Sequence, residues 1–292
     1  MTVRPAGTTT VVSGTAGTVL VASPSTIIRP SGTRPQLGEV WAYRELLYFL
    51  VWRDLKVRYK QTVLGIAWAV LQPLATTAVF AIFLGRLAGV PSDGVPYPVF
   101  AYSAMLPWQL FAHALTESSN SLVANERLIT KVYFPRLVIP LATILAGLVD
   151  FALALVVGIG LMAWYGIALG PSIVAVPLFV ALAVLTALAV GLWLSALNVE
   201  YRDVRYTLGF LVQIWLFATP VAYSSSLVPE RWRPLYGLNP MAGVVEGFRW
   251  ALLGHGQPPG ALLGVSMGVT VVVLAGGLWY FTRMERTFAD VV

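Results

Sequence analysis

The stretch WRDLKVRYKQTVLGIAWAVLQPL, residues 52–74, changes character midway. Its first part carries Arg53, Asp54, Lys56, Arg58 and Lys60 interleaved with Trp52 and Tyr59, and its second part enters a run with no charge until Arg86. A basic, aromatic-studded segment joined directly to an apolar one marks a membrane surface followed by a crossing. On a helical wheel Tyr48, Trp52, Leu55 and Tyr59 share one narrow face, with Arg53, Lys56 and Lys60 on its neighbour. The pattern predicts an amphipathic helix over about 40–60 lying in the interface. Its rings would sit at headgroup depth and its cations would face phosphates or a partner's carboxylates. The plainer alternative is that these charges only fix topology.

Composition places the rest of the chain in the same setting. Of 292 residues, 58% are hydrophobic and only 11% charged, against about 25% charged in a soluble domain. The net charge of +6 belongs, in a membrane protein, to the cytoplasmic face and does not argue for nucleic acid. Cysteine is absent, which excludes disulfides, thiolate metal sites and cysteine nucleophiles.

Outward from the opening stretch, residues 1–38 are rich in Thr, Ser, Gly, Pro and Val and read as a flexible cytoplasmic tail. The remainder, 39–292, is expected to be an all-α transmembrane domain, with six apolar segments approaching the roughly 20 residues a crossing needs. They cover about 62–84, 99–115, 137–165, 172–194, 207–222 and 261–281. With both termini inside, fifteen of the nineteen basic residues fall on the inner side and only Arg86, Arg231, Arg233 and Arg249 outside.

Two segments between spans read as short helices. On the inner side 125–135 has Asn125 suited to cap it, Glu126 in its first turn and Pro135 to end it. Such a helix could dock a cytosolic protein or be a plain amphipathic connector. On the outer side Asn239 and Pro240 open a helix that Gly254 closes, with Met241, Val244, Val245 and Phe248 as its apolar stripe and Glu246 and Arg249 projecting elsewhere. At about 14 residues with two charges it is too short to cross. With the preceding piece, 229–238, it forms an interfacial or re-entrant pair of external helices packed on protein.

Few chemistries have their residues here. The three lysines follow Leu, Tyr and Thr, so no phosphate-binding loop is present, and no GxSxG elbow or DxD pair appears. His113 and Glu117 share a helix face, but one histidine without a third ligand is an ordinary pair at a span end. Asp150 is the one acid clearly inside a span, with either a structural or a pathway role. A translocation path shows instead as polar and aromatic stripes. Gln61, Gly65, Trp68, Gln72 and Thr76 line one face of the first span, and Tyr206, Gly209, Gln213, Phe217 and Pro220 one face of the fifth. Amides bond sugar hydroxyls and ring faces stack on pyranose C–H faces, while helix packing through Gly and Gln gives the same pattern.

Longer motifs carry a resemblance. The run from Arg53 to Gly65 with Ala67-Trp68 and Leu71-Gln72-Pro73-Leu74 is similar to the permease subunit of ATP-binding-cassette polysaccharide exporters, the type that moves O-antigen, capsule or teichoic acid. So are Leu106-Pro107-Trp108, the run Leu128 to Arg136, the run Leu197 to Tyr206, and Leu238-Asn239-Pro240-Met241-Ala242-Gly243 with Glu246-Gly247-Phe248-Arg249.

The resemblance implies a bacterial cytoplasmic-membrane homodimer served by two copies of a cytosolic ATPase subunit, which would hold the ATP and magnesium. No cofactor and no catalytic residue are then expected on this chain. By resemblance Asn125, Glu126, Leu128, Ile129, Lys131, Val132 and Tyr133 would belong to a coupling helix pressed into the ATPase. Trp52, Arg53, Lys56, Arg58, Tyr59 and Lys60 would lie near that contact, or near the pyrophosphate of an undecaprenyl-linked substrate. Asn239, Pro240, Met241, Glu246, Phe248 and Arg249 would cap the outer exit. Export of a smaller cargo, a membrane enzyme acting on polyprenyl-linked sugars and a secondary transporter are the alternatives; scattered acids and a single intramembrane carboxylate weigh against the last two.

Overall fold

The computed structural model describes residues 37–60, 67–201, 203–254, 260–285 and 288. The tail expected at 1–38 lies outside the described residues up to 36, as do Gln61, Thr62 and Gly65 at the start of the expected first span. The described residues contain helices and connections and no strand.

In chain order the helices are α1 (Leu37–Ala42), α2 (Arg44–Lys60), α3 (Ala67–Phe80), α4 (Tyr97–Ala124), α5 (Glu126–Lys131), α6 (Val138–Trp164), α7 (Val176–Glu200), α8 (Val204–Ala218), α9 (Arg233–Tyr236), α10 (Pro240–Leu253) and α11 (Ala261–Met284). A π-helical stretch, Ala81–Leu87, prolongs α3, and a 3-10 turn, Pro171–Ala175, leads into α7. Among the described residues four segments are long and apolar enough to cross a bilayer: Ala67–Leu87, Val138–Trp164, Pro171–Glu200 and Ala261–Met284. The other two expected crossings fall on α4 and α8. α4 has 28 residues but carries Gln109, His113, Glu117 and a serine cluster. α8 has 15 residues, about 22 Å of helix at 1.5 Å per residue, against a hydrocarbon core of about 30 Å.

α4 is the axis of the bundle and packs against α3, α6, α7, α8 and α10. Phe100, Tyr102, Met105, Leu106, Phe111 and Leu115 fill the space around it. Its buried hydroxyls are satisfied on their own helix: Ser119 donates to Leu115 O at 2.7 Å and Ser121 to Ser118 O at 2.6 Å. Two longer bonds tie it to neighbours, Tyr102 Oη to Ala154 O of α6 (2.8 Å) and Asn198 Nδ2 of α7 to Ser119 O (2.9 Å).

α10 is packed on protein, as expected, but more deeply than a helix lying in the interface would be. Apart from Glu246 and Trp250 all its residues are buried, and it packs between α4, α7 and α11. The close approach is made possible by Gly247, where a Cβ would stand 2.0 Å from Phe179 Cε1 of α7. Its ends follow the capping chemistry: Asn239 accepts the Met241 N–H at 3.0 Å, Pro240 occupies the first turn, and Gly254 closes the last with a left-handed conformation.

The opening stretch also differs from a helix lying flat. The segment expected as one helix over 40–60 is α1 and α2, divided at Tyr43. Leu50 of α2 packs among Leu137, Val138, Ile139 and Ala142 at the start of α6, whereas Arg58 and Tyr59 reach Asp150, in the middle of α6. α2 therefore climbs along a spanning helix, because a half-buried carboxylate on that helix accepts hydrogen bonds from its last turn.

Candidate functional site

A cavity of about 410 Å³ lies between α3, α4, α6 and α8. Trp68, Gln72 and Thr76 of α3 enter its wall together, one turn apart. α4 contributes Trp108, Gln109, His113 and Thr116, α6 Gly147 and Asp150, and α8 Val212 and Leu216. Pro73 lacks an N–H and cannot bond the carbonyl of Ala69, which belongs to the same wall. The cavity thus offers two amides, hydroxyls and two indoles, the donor set and flat apolar faces suited to a polyol.

The stripe expected on α8 points elsewhere. Gln213 and Phe217 are exposed, Phe217 by 60%, on the face about 100° round the helix from Val212 and Leu216. Trp215 fixes this rotation: its Nε1 donates to Asn239 Oδ1 at 2.8 Å and its ring meets Phe111 edge-on at 5.0 Å. Gln109, His113 and Thr116 of the second expected span share a face by the same spacing, since i, i+4 and i+7 fall together on a helix, and are a signal in the sequence for this wall that the stripes of the first and fifth spans do not include.

One charged cluster borders the cavity. Asp150 accepts hydrogen bonds from Arg58 and from the Tyr59 hydroxyl, and the Arg58 contact is an ion pair. Burial, then the bond to Asp150, raises the Tyr59 pKa, so the phenol stays a donor. His113 Nε2 lies 4.0 Å from the same carboxylate and has no hydrogen-bond partner. The other residues predicted on α2 are spent differently. Arg53 pairs with Asp54 at 2.8 Å, the Lys56 ammonium lies 4.3 Å from the Trp52 ring centre, and Trp52 and Lys60 are exposed.

At the end of the bundle where α4 meets α6, the helix expected at 125–135 is shorter, Glu126–Lys131. Val132 is already extended, because Phe134 is drawn into the core beneath and precedes a proline that disfavours helix. Asn125 stands at the junction but does not cap α5; its Nδ2 donates back to Ser121 O at 2.8 Å. Ile129 is buried and Leu128 half-buried, leaving Glu126, Lys131, Val132 and Tyr133 as the accessible part of the predicted set. Beside them Glu285 accepts the Arg136 N–H at 3.0 Å, and burial raises its pKa.

At the opposite end, the residues expected as an outer gate are welded into the fold. Asn239 also donates to Ala218 O (3.0 Å) and Thr219 Oγ1 (2.9 Å), clamping α8 to α10. Arg249 pairs with Glu246 at 3.1 Å, donates to Pro220 O (2.7 Å) and Val221 O (3.2 Å), and lies 3.8 Å over the Phe100 ring. Burial lowers its pKa, opposed by Glu246 and Asp93. Glu246 in turn accepts the Ser225 N–H at 3.0 Å, and Pro240, Met241 and Phe248 are buried.

Residues 45–253 match the family model described as ABC-2 type transporter. The chain is 31% identical over 259 residues to the O-antigen export system permease protein RfbA of Myxococcus xanthus, covering 86% of this chain and 97% of that protein. It is 28% identical over 249 residues to the protein of the same name from Klebsiella pneumoniae, covering 85% and 95%. To the polysialic acid transport protein KpsM of Escherichia coli it is 25% identical over 242 residues, covering 80% and 91%.

Proposed function

The chain belongs to the ABC-2 type transporter family, and from that premise we propose that it is the channel-forming subunit of an exporter that moves a lipid-linked polysaccharide across the bacterial cytoplasmic membrane. The observation that carries the substrate class is the cavity wall of Trp68, Gln72, Trp108, Gln109 and Thr116, amides and indoles together inside an apolar bundle. The names of its relatives, export proteins for O-antigen and polysialic acid, favour the same class. ATP hydrolysis takes place on a separate cytosolic subunit, which docks on α5 through Lys131, Val132 and Tyr133. Two copies of the chain pair through the exposed faces of α3 and α8, so that Gln213 and Phe217 complete the path from the partner-facing side. α4 and α8 count as the second and fifth of six crossings, α8 being lengthened by Thr219 to Ala222, and both termini lie in the cytoplasm, where fifteen of the basic residues then fall. Arg58 and Lys60 border the route of the substrate's diphosphate. Deleting the gene is expected to remove polysaccharide from the cell surface and to leave undecaprenyl-linked glycan inside. Surface polymer at the normal level would refute the function; its loss without any lipid-linked glycan would refute the substrate.

A further inference from the structure

We propose that Asp150 is a positioning residue for transport that exchanges partners: it holds the last turn of α2 against α6 through Arg58 and Tyr59, and turns to His113 when α2 leaves. The inference rests on the transport reading, since it describes how the cavity opens beside α2. Three observations meet here. Two consecutive α2 side chains both donate to the one carboxylate of α6, which itself lines the cavity. His113, from α4, brings Nε2 within 4.0 Å of that carboxylate, buried and without a hydrogen-bond partner. Gly147, one turn before Asp150, gives the imidazole its place: a Cβ there would stand 3.3 Å from His113 Cδ2.

The physical logic is that a carboxylate in a spanning helix is costly without a partner. A clasp that must open repeatedly therefore needs a second donor already in place. With its proton on Nε2, His113 donates to Asp150 after a small rotation. Glu117, one turn farther along α4, is the remaining acid on that face. Two packed arrangements of one carboxylate, with α2 in or out, make a two-state element that a passing substrate can bias.

The absence of cysteine lets a spin-label pair be placed cleanly. Val57→Cys and Val149→Cys, both exposed and each beside a member of the clasp, report the α2–α6 distance in the full chain in nanodiscs. The unaltered clasp is expected to give one short distance. Asp150→Asn should add a longer population of at least half the spins, and Arg58→Asp combined with Asp150→Arg should restore the short one. Should Asp150→Asn fail to assemble, Tyr59→Phe, which removes one bond only, is expected to add a smaller long component. His113→Phe, which removes the donor, should keep the short distance yet cut surface polymer at least fivefold, and His113→Gln, which keeps an N–H, should restore part of it. An unchanged distance in both Asp150→Asn and Tyr59→Phe overturns the clasp, and full export by His113→Phe overturns the exchange. The distances are read without any export, so they stand apart from a failure of the polysaccharide reading.

Discussion

Two arginines with similar standing in the sequence have opposite surroundings in the fold. Arg249 and its partner Glu246 are 7% and 19% exposed, and the guanidinium is further bonded to two carbonyls and laid over Phe100; only its Nε lacks an acceptor. Arg58 and Asp150 are 28% and 22% exposed, border a cavity, and have a histidine in reserve. The first pair is enclosed by protein and can only hold α10 to the turn after α8. The second is open on one side and can be remade. What separates a structural charge from a working one here is whether the surrounding shell is closed.

The largest effect that would break this comparison is at Arg249. Arg249→Met removes a buried guanidinium with its bonds to two carbonyls and leaves the half-buried Glu246 without its cation, which should destabilise the protein by about 3–5 kcal/mol, whereas adding Glu246→Leu should recover part of the loss, because no charge is then left unpaired. Thermal melts in detergent decide it, and a wild-type melting temperature for the single variant would show that the shell is not closed. Next comes the seat of the same helix. Gly247→Ala drives a methyl into Phe179 and should cost about 1–3 kcal/mol by overpacking. A cost below that range would mean that α10 can shift, as a moving gate would.

Arg58→Gln sharpens the other side. The pair is partly hydrated, so its loss should lower stability by only about 1–2 kcal/mol, less than for an enclosed pair, while export falls severely. A loss of stability matching that of Arg249→Met, with export reduced only in proportion to protein level, would make Arg58 as structural as Arg249.

Sequence periodicity was informative about faces and silent about what the faces meet. Trp68, Gln72 and Thr76 share a face by their spacing, and in the fold that face lines the cavity. Gln213 and Phe217 share one by the same rule, yet Trp215, bonded to Asn239 across 24 residues, rotates it outward. The caps of α10 could be read from Asn239, Pro240 and Gly254, since capping is local chemistry. Its burial could not, because it depends on Phe179 finding the gap over Gly247 from a helix 68 residues earlier. The bond from Arg58 to Asp150 spans 92 residues, and no spacing rule reaches that far. α5 ends at Lys131 and not at the proline for a related reason: the long-range burial of Phe134 outweighs the local option of continuing the helix.

The smallest expected effect on stability lies at α5. Val132 and Tyr133 are 51% and 56% exposed, and Tyr133 contributes no ring stacking among the described contacts. Replacing both with Asp should therefore change stability by no more than about 0.5 kcal/mol. The same change places two charges on the face proposed to meet the ATPase, where an apolar contact would have to desolvate them. Co-purification of that subunit should fall at least tenfold. Ile129→Asp provides the contrast: Ile129 lies on the buried face of α5, so the variant should lose stability and the partner together. If Val132→Asp with Tyr133→Asp retains the ATPase at wild-type yield, the docking face is not this one. If the pair melts as low as Ile129→Asp, the exposed side of α5 is covered by protein, and α5 belongs with Arg249 among the enclosed parts of the molecule.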